Sequence, residues 1–177
     1  AQATPTSTPF QYYASVDDEP RTISGKCGDN AEWSYNTGTK VLTISGSGAV
    51  DRAVDSDTSK QKIEGLAEPY DVKERITCSV KEIQIEEGIT ALAVSNLFGN
   101  VSKDEDAEEI KLSLPDSLER INANTFAPTT DAAYIRTIHL PRNVRYIEGG
   151  AFWGLGATDT SDTFNENLTI TVDSKNP

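Results

Sequence analysis

"IHLPRNVRYIEGGAF", residues 138–152, is the stretch that decides the fold, because the chain repeats its pattern of apolar residues. The same spacing runs through "IQIEEGITALAVSNL", residues 83–97, and through "LSLPDSLERINANTF", residues 112–126, without a gap. The five apolar positions in each segment hold only Ile, Leu, Val or Phe: Ile83, Ile85, Ile89, Leu92 and Leu97; Leu112, Leu114, Leu118, Ile121 and Phe126; Ile138, Leu140, Val144, Ile147 and Phe152.

The spacing within each segment is typical of one unit of a stacked repeat. The first two apolar residues lie two apart, which places both on the inward face of a short strand. Gly88, Ser117 and Asn143 then share one position, where turn-forming residues bend the backbone. The remaining apolar residues fill the interior of the unit. One unit cannot bury this apolar face alone, so we expect the units to stack and share one core.

The pattern therefore predicts a right-handed solenoid of about three and a half units with little helix. "LTITVDSKNP", residues 168–177, begins a fourth unit, with Ile170 and Val172 at the first two apolar positions. Insertions of polar and small residues follow the closing apolar residue of each full unit, at residues 98–107, 127–134 and 153–167.

Composition divides the chain into three segments. Residues 1–20 are rich in Thr, Pro, Ala and Ser and have no period, which is typical of a flexible tail. Residues 21–79 are expected to form an N-terminal β cap around a hairpin in "AEWSYNTGTKVLTISGSG", residues 31–48. A short helix is predicted at residues 68–77, and the repeats occupy residues 80–177.

These units resemble the BspA-like leucine-rich repeats of bacterial cell-surface and secreted proteins. The core pattern of that family, "I..I.LP..V..I...AF", is matched by "IRTIHLPRNVRYIEGGAF", residues 135–152, and well by residues 110–126. The first unit is a looser copy. "GKCGDNAEWSYNTGTKVLTISGSGAV", residues 25–50, looks like the capping hairpin that often precedes such repeats.

The resemblance implies a leucine-rich-repeat solenoid, mostly β with an irregular or short helical convex side, behind an N-terminal β-hairpin cap. It implies an extracellular or surface location and adhesion through protein–protein contact, with no catalytic residues to carry over. Because "VDSKNP", residues 172–177, is commonly followed by more sequence in that family, we expect a longer parent protein or an exposed edge.

The net charge of −12 argues against nucleic acid and anionic membranes as partners, because both require a basic face. No apolar run approaches the roughly 18–20 residues of a membrane helix. Cys27 and Cys78 are the two cysteines, and a disulfide between them is the favoured interpretation. Two unrelated buried thiols are the alternative.

No pattern in the chain indicates catalysis or a metal or cofactor site. His139 is the single histidine, and its place between Ile138 and Leu140 directs it away from the core. The acidic stretches at residues 104–109 and 159–166 lack the spacing and the glycine of a calcium loop, and solvated loops explain them. We therefore expect a protein that is not an enzyme and uses no cofactor.

The outward side of the predicted strands is the expected contact surface for a partner. Strand alternation directs four pairs of residues there: Glu82 and Gln84, Lys111 and Ser113, Thr137 and His139, Thr169 and Thr171. Trp153 either packs under the insertion that it opens or forms an exposed contact point.

The expected function is thus a secreted or surface-anchored interaction module, with adhesion to a host, matrix or other surface protein. The alternative is a structural spacer, or part of a larger surface protein, with no binding role of its own.

Overall fold

The computed structural model describes residues 20–54, 62–63, 78–99, 101–126, 134–156 and 167–176, with backbone alone at residues 62–63. Almost all of the predicted tail, residues 1–19, and the predicted helix at residues 68–77 lie outside the described residues.

The described residues form short β-strands joined by turns, and no α-helix occurs among them. The prediction of a mostly-β chain with little helix is therefore confirmed for this part of the chain. The strands are β1 (Thr22–Lys26), β2 (Ala31–Asn36), β3 (Val41–Gly46), β4 (Gly48–Val50), β5 (Lys62–Ile63), β6 (Cys78–Val80), β7 (Glu82–Ile85), β8 (Ile89–Leu92), β9 (Val101–Lys103), β10 (Lys111–Ser113), β11 (Arg120–Ile121), β12 (Thr137–Leu140), β13 (Tyr146–Ile147) and β14 (Thr169–Val172).

The N-terminal strands form an antiparallel meander in which β1 pairs with β2 and β2 pairs with β3. Trp33 and Tyr35 alternate with polar neighbours on β2, and both are buried. The hydroxyl of Tyr35 donates to the carbonyl oxygen of Ser79 at 2.6 Å. That hydrogen bond ties the meander to the segment that precedes the repeats.

One sheet joins the meander to the first two repeat units. β3 pairs in parallel with β7, and β7 pairs in parallel with β10, which aligns Leu42, Ile83 and Leu112 on adjacent strands. β12 and β14 form a second parallel pair, in which Ile138 lies beside Ile170. β12 also lies against β10, but no strand ladder connects the two in the described part of the chain. The change from antiparallel to parallel pairing thus occurs at β3.

A second sheet runs along another side of the units, in the strand order β13-β11-β8-β4. Its pairs are parallel and align Val50, Leu92, Ile121 and Ile147 on successive strands. The first three of these side chains are fully buried. The two sheets therefore flank one apolar core. The first two repeat units contribute a strand to each sheet, whereas the third contributes β13 to the second sheet and β12 to the separate pair with β14.

A column of three phenylalanines lines the third side of the units. The ring of Phe126 stacks between Phe98 and Phe152, with centroid distances of 5.8 and 5.9 Å. The residue two before each phenylalanine has a positive φ: 59° at Asn96, 56° at Asn124 and 75° at Gly150.

The gapless alignment of the three units is wrong at this point, because Phe98 and not Leu97 is the equivalent of Phe126. The first unit has one extra residue between Leu92 and Phe98. Leu97 of the first unit is buried. Its N–H donates to the carbonyl oxygen of Thr125 in the next unit at 2.9 Å.

The predicted disulfide is absent, and Cys27 and Cys78 are both free and buried. Cys27 donates its N–H to Ala31 at the start of β2, whereas Cys78 precedes Ser79, the partner of the Tyr35 hydroxyl. The structure thus has the alternative arrangement of two separate buried thiols. Burial raises the pKa of both thiols to about 12.

Candidate partner-binding surface

The parallel strands direct the predicted row of polar side chains away from the core. Register places Lys111 beside Glu82, Ser113 beside Gln84, and the Thr137 and His139 pair beside Thr169 and Thr171. Neighbouring strands of such a sheet lie about 4.8 Å apart, so the row is a closely spaced strip. We call these eight residues the outward row; whether they contact a partner stays a prediction.

The outward row is polar and mostly exposed, with Glu82 and Gln84 half-buried. Gln84 donates its side-chain amide to Glu82 at 2.9 Å, and His139 Nδ1 lies 2.9 Å from the Thr171 hydroxyl. The meander extends the row by one further strand, because Val41 and Thr43 of β3 lie in register with Glu82 and Gln84. The row offers hydrogen-bonding groups and both signs of charge on a rigid backbone.

A second exposed cluster, which the sequence did not predict, lies on the outer side of the second sheet. The Arg120 guanidinium lies 5.8 Å from the centre of the Tyr146 ring and donates to Glu148 at 2.6 Å. Tyr146 is 60% exposed. The Arg120 hydrogen bond, with one from the N–H of Ala123, lowers the pKa of Glu148 below its ordinary value.

Arg120 and Tyr146 occupy the same repeat position, directly before Ile121 and Ile147. That shared position is the signal in the sequence by which the cluster can be found. Arginine and tyrosine are the residue types that commonly dominate binding energy at protein interfaces, and the outward row contains neither.

Trp153 follows the phenylalanine column and is 48% exposed. Its N–H donates to the carbonyl oxygen of Gly150 at 3.0 Å, which fixes its backbone in a turn. Residues 157–166 of the insertion under which it was expected to pack lie outside the described residues. The structure does not bring Trp153 into either sheet.

Hydrogen bonds between the turns of successive units hold the strands in register. The Glu87 carboxylate accepts from the backbone N–H of Asp116 at 2.8 Å and of Ser117 at 3.0 Å. The hydrogen bond from the Asp116 N–H lowers the pKa of Glu87, and the hydrogen bonds from Ser117 lower it further. Together they outweigh desolvation, which acts in the opposite direction. In the next unit, Arg142 pairs with Asp116 at 2.6 Å and the Asn143 amide donates to the Asp116 carbonyl at 2.7 Å.

The acidic loop after β9 has a structural role in this arrangement. Asp104 is buried, 3.4 Å from the Lys81 ammonium, and accepts from the Ser79 hydroxyl at 3.2 Å and the Asp106 N–H at 3.2 Å. Burial opposes ionisation of Asp104, but these partners outweigh it and lower its pKa. No group of three or more His, Cys, Asp or Glu side chains suited to a metal ion occurs in the described ranges.

No protein-family model matches the chain, and no curated protein matches it. Among solved structures, it is similar to the crystal structure of a leucine-rich repeat protein from Eubacterium ventriosum, at 18% sequence identity and a TM-score of 0.36. The match covers 88% of this chain and 45% of that one, so the chain spans less than half the length of the protein it matches. A TM-score this low carries no conclusion about function. Among the described residues, none form a helix with the length and apolarity that crossing a bilayer requires.

Proposed function

We propose that the chain is a leucine-rich-repeat solenoid of the BspA-like type, located outside the cell, that binds a protein partner and catalyses no reaction. The observation that carries the proposal is the register of the strands: Glu82 lies beside Lys111, and Thr137 lies beside Thr169, and the opposite faces of β7 and β12 are buried in the core. Such an array presents polar side chains on a fixed backbone, which limits the conformational entropy lost on binding.

The proposed mechanism is non-covalent adhesion. The core and the hydrogen bonds between turns hold the backbone rigid, and the outward row or the inserted loops meet the partner. The net charge of −12 favours a partner with a basic surface, because opposite charge accelerates association. No cofactor enters this mechanism, and the partner is a host, matrix or other surface protein.

A specific observation supports the alternative of a structural spacer. The outward row lacks the Trp, Tyr and Arg side chains that usually anchor an interface. Two of its pairs, Gln84–Glu82 and His139–Thr171, already bond to each other. A spacer needs the same stacked units but no complementary partner surface.

A pull-down experiment distinguishes the two functions. The chain is immobilised, a host extracellular extract is passed over it, and the proteins that it retains are measured. The outward-row variant is Lys111→Ala/Thr137→Ala/His139→Ala. The matched control, Thr90→Ala/Glu119→Ala/Arg145→Ala, removes three exposed side chains that lie on a strand of the other sheet or directly before one. We expect the wild type and the control to retain the same protein and the outward-row variant to lose at least about tenfold in affinity, or roughly 1.4 kcal/mol.

A further variant, Arg120→Ala/Tyr146→Ala, removes the cluster on the second sheet. Loss of retention in this variant alone moves the contact surface to that cluster and overturns the assignment to the outward row. Equal retention by all four proteins overturns the assignment to the outward row and leaves the inserted loops as the contact. No retention by any of them contradicts the binding function and favours the spacer.

A further inference from the structure

One charged side chain among the described residues is buried, and it lies outside the outward row. Asp104 is 5% exposed, whereas the other carboxylates with a lowered pKa, Glu87 and Glu148, are exposed or half-buried. A charged side chain is rarely buried in a protein unless other groups replace the water that it loses. Asp104 therefore marks a place where electrostatic contacts hold two parts of the chain together.

Residues 101–107, which we call the strap, lie along β6, the strand just before the repeats. Val101 of β9 lies beside Cys78 of β6 in a parallel pair, and the Asp104 N–H continues the pairing by donating to the carbonyl oxygen of Val80 at 2.9 Å. Within the described residues, β6 and β9 form a sheet of two strands. Backbone hydrogen bonds of that sheet thus hold the strap along one side.

The Asp104 side chain fastens the strap to the segment after β6. Its carboxylate lies 3.4 Å from the Lys81 ammonium and accepts from the Ser79 hydroxyl at 3.2 Å. Lys103 Nζ donates to the carbonyl oxygens of Asp104 at 2.7 Å and Ala107 at 2.6 Å, which closes the turn within the strap. The one buried charge of the strap is therefore the group that joins it to residues 79–81.

A buried thiol lies next to the strap. Cys78 is 1% exposed, and its neighbour in the strand register is Val101, which is also buried. Tyr35 is 2% exposed, and its hydroxyl donates to the carbonyl oxygen of Ser79, directly after Cys78. Displacement of the strap removes the neighbour on one side of Cys78, so the reactivity of this thiol reports whether the strap is in place.

We propose that the strap is an acid-sensitive latch: the ionised Asp104 carboxylate holds it on β6, and neutralisation of that carboxylate releases it and exposes Cys78. The step transfers one proton from solvent to the carboxylate and changes no other bond. Neutral Asp104 loses its attraction to Lys81, whose side chain is 44% exposed and is hydrated without hindrance after release. Release is local, because the strap is a short edge that separates without opening the core.

The groups in contact with Asp104 fix the direction of the response. Desolvation raises the pKa of Asp104, but hydrogen bonds from the Asp106 N–H and the Ser79 hydroxyl, together with Lys81, outweigh it and lower the pKa below 3.8. The stabilisation by the latch is therefore fully present above pH 3.8 and is lost as the pH falls through the lower folded value.

The other titratable groups on the elements around Asp104 do not reverse this response. Burial raises the pKa of Tyr35 on β2 and of Cys78 on β6, so both are neutral in acid. The Lys103 ammonium is bound by backbone carbonyl oxygens and not by the carboxylate. Asp106 lies 3.9 Å from Lys81, but its side chain is 81% exposed, so solvent weakens that attraction.

The reactivity of Cys78 in the native protein tests the latch at constant pH. Asp104→Asn removes the charge but keeps the size of the side chain, and Asp106→Asn is the matched control on an exposed carboxylate. Each protein reacts with a pyridyl disulfide at about pH 7, and peptide mass spectrometry measures modification of Cys78 and Cys27 separately. We expect Cys78 to react at least about tenfold faster in Asp104→Asn than in the wild type, because hydrogen bonds to a charged group are lost.

The rate for Cys27 controls for unfolding of the whole chain, because Cys27 lies in the turn between β1 and β2, outside the strap. We expect this rate to stay within about twofold of the wild type in both variants, and Asp106→Asn to change the Cys78 rate no more than that, since exposed charges contribute little.

Acidification tests the proton in the wild type. The ratio of the Cys78 rate to the Cys27 rate cancels the effect of pH on the reagent, because burial raises the pKa of both thiols to about 12. We expect the ratio to rise as the pH falls from about 6 to about 3 in the wild type, and to stay constant in Asp104→Asn, which has no carboxylate at this position.

A Cys78 rate in Asp104→Asn equal to that of the wild type overturns the proposal, since the strap then does not depend on the charge. Equal acceleration of Cys78 and Cys27 also overturns it, because the whole chain and not the strap has then opened. A wild-type ratio that does not change in acid has the same consequence. Retention of an extracellular partner is a separate measurement, so failure here does not decide the proposed function.

Discussion

The ring of Phe126 stacks on the ring of Phe98 with a centroid distance of 5.8 Å and an angle of 29° between their planes. The two residues belong to successive repeat units, so the contact is one that the units make only by lying on top of one another. Phe152 continues the column on the other side of Phe126, at 5.9 Å.

Replacement of the central phenylalanine measures what this column contributes. Phe126 is 1% exposed and has an aromatic neighbour on both sides, whereas Phe152 is half-buried. Phe126→Ala is expected to lower the free energy of unfolding by about 3–5 kcal/mol, because burial and packing are both lost. Phe152→Ala is the matched control and should cost clearly less. Urea denaturation of both variants checks this, and equal losses would be inconsistent with a central position for Phe126.

The turn at Gly88 requires a residue without a side chain. Its φ is +104°, and an added Cβ would lie 2.4 Å from the carbonyl oxygen of Gly46. Gly88→Ala should therefore destabilise the fold by about 1–3 kcal/mol from the backbone conformation alone, with the clash adding to this. Gly149→Ala meets open space at an ordinary φ and is the control. Thermal unfolding that shows the same shift for both alanine variants would contradict the turn geometry.

Glu87 makes the stability of the chain depend on pH. Its pKa is lowered in the folded state because it accepts the N–H groups of Asp116 and Ser117. The stabilisation is fully present above the ordinary value of 4.5 and is lost as the pH falls through the lower folded pKa. Urea midpoints at about pH 6 and about pH 3 should differ less in Glu87→Gln than in the wild type, since glutamine does not ionise there.

Glu86→Gln is the control for this pH dependence, because Glu86 is an exposed neighbour on the same turn. It should leave the difference between the two midpoints unchanged. A Glu87→Gln variant with the wild-type pH dependence would show that the contact between the turns does not form in solution.

Thiol titration decides between free cysteines and a disulfide. Burial raises the pKa of Cys27 and Cys78 to about 12, and a thiol reacts as its thiolate. Without reductant, the native protein should react very slowly with an aromatic disulfide reagent, and the denatured protein should release both thiols at once. Absence of thiol on denaturation would restore the disulfide that the sequence had suggested.

The pairing of the first strand of each unit was predictable from the sequence. Each of these strands is marked by two apolar residues that lie two apart, with turn residues after them. Ile83 with Leu112 and Ile138 with Ile170 lie in the register that the pattern implies. The phenylalanine column was misplaced by one residue in the first unit. There Leu97 is apolar and buried like Phe98, so hydrophobicity alone does not locate the extra residue before it.

The outward row was predictable for a similar reason, since strand alternation fixes the face of every side chain once the inward residues are known. The cluster of Arg120 and Tyr146 was missed because strand alternation was followed only at the first strand of each unit, although the two residues share a repeat position. The disulfide was a wrong inference because a pair of cysteines indicates a bond only if the fold brings them together. In the structure Cys27 and Cys78 are both buried and free.

Methyl-to-methyl nuclear Overhauser effects in the full chain test most directly whether successive units lie side by side. Leu42, Ile83 and Leu112 occupy adjacent strands in that order. We expect strong cross-peaks from Ile83 to both leucines and none between Leu42 and Leu112, which lie about 10 Å apart across two strand spacings. Absence of the cross-peak between Ile83 and Leu112, or a strong one between Leu42 and Leu112, would contradict the stacked arrangement.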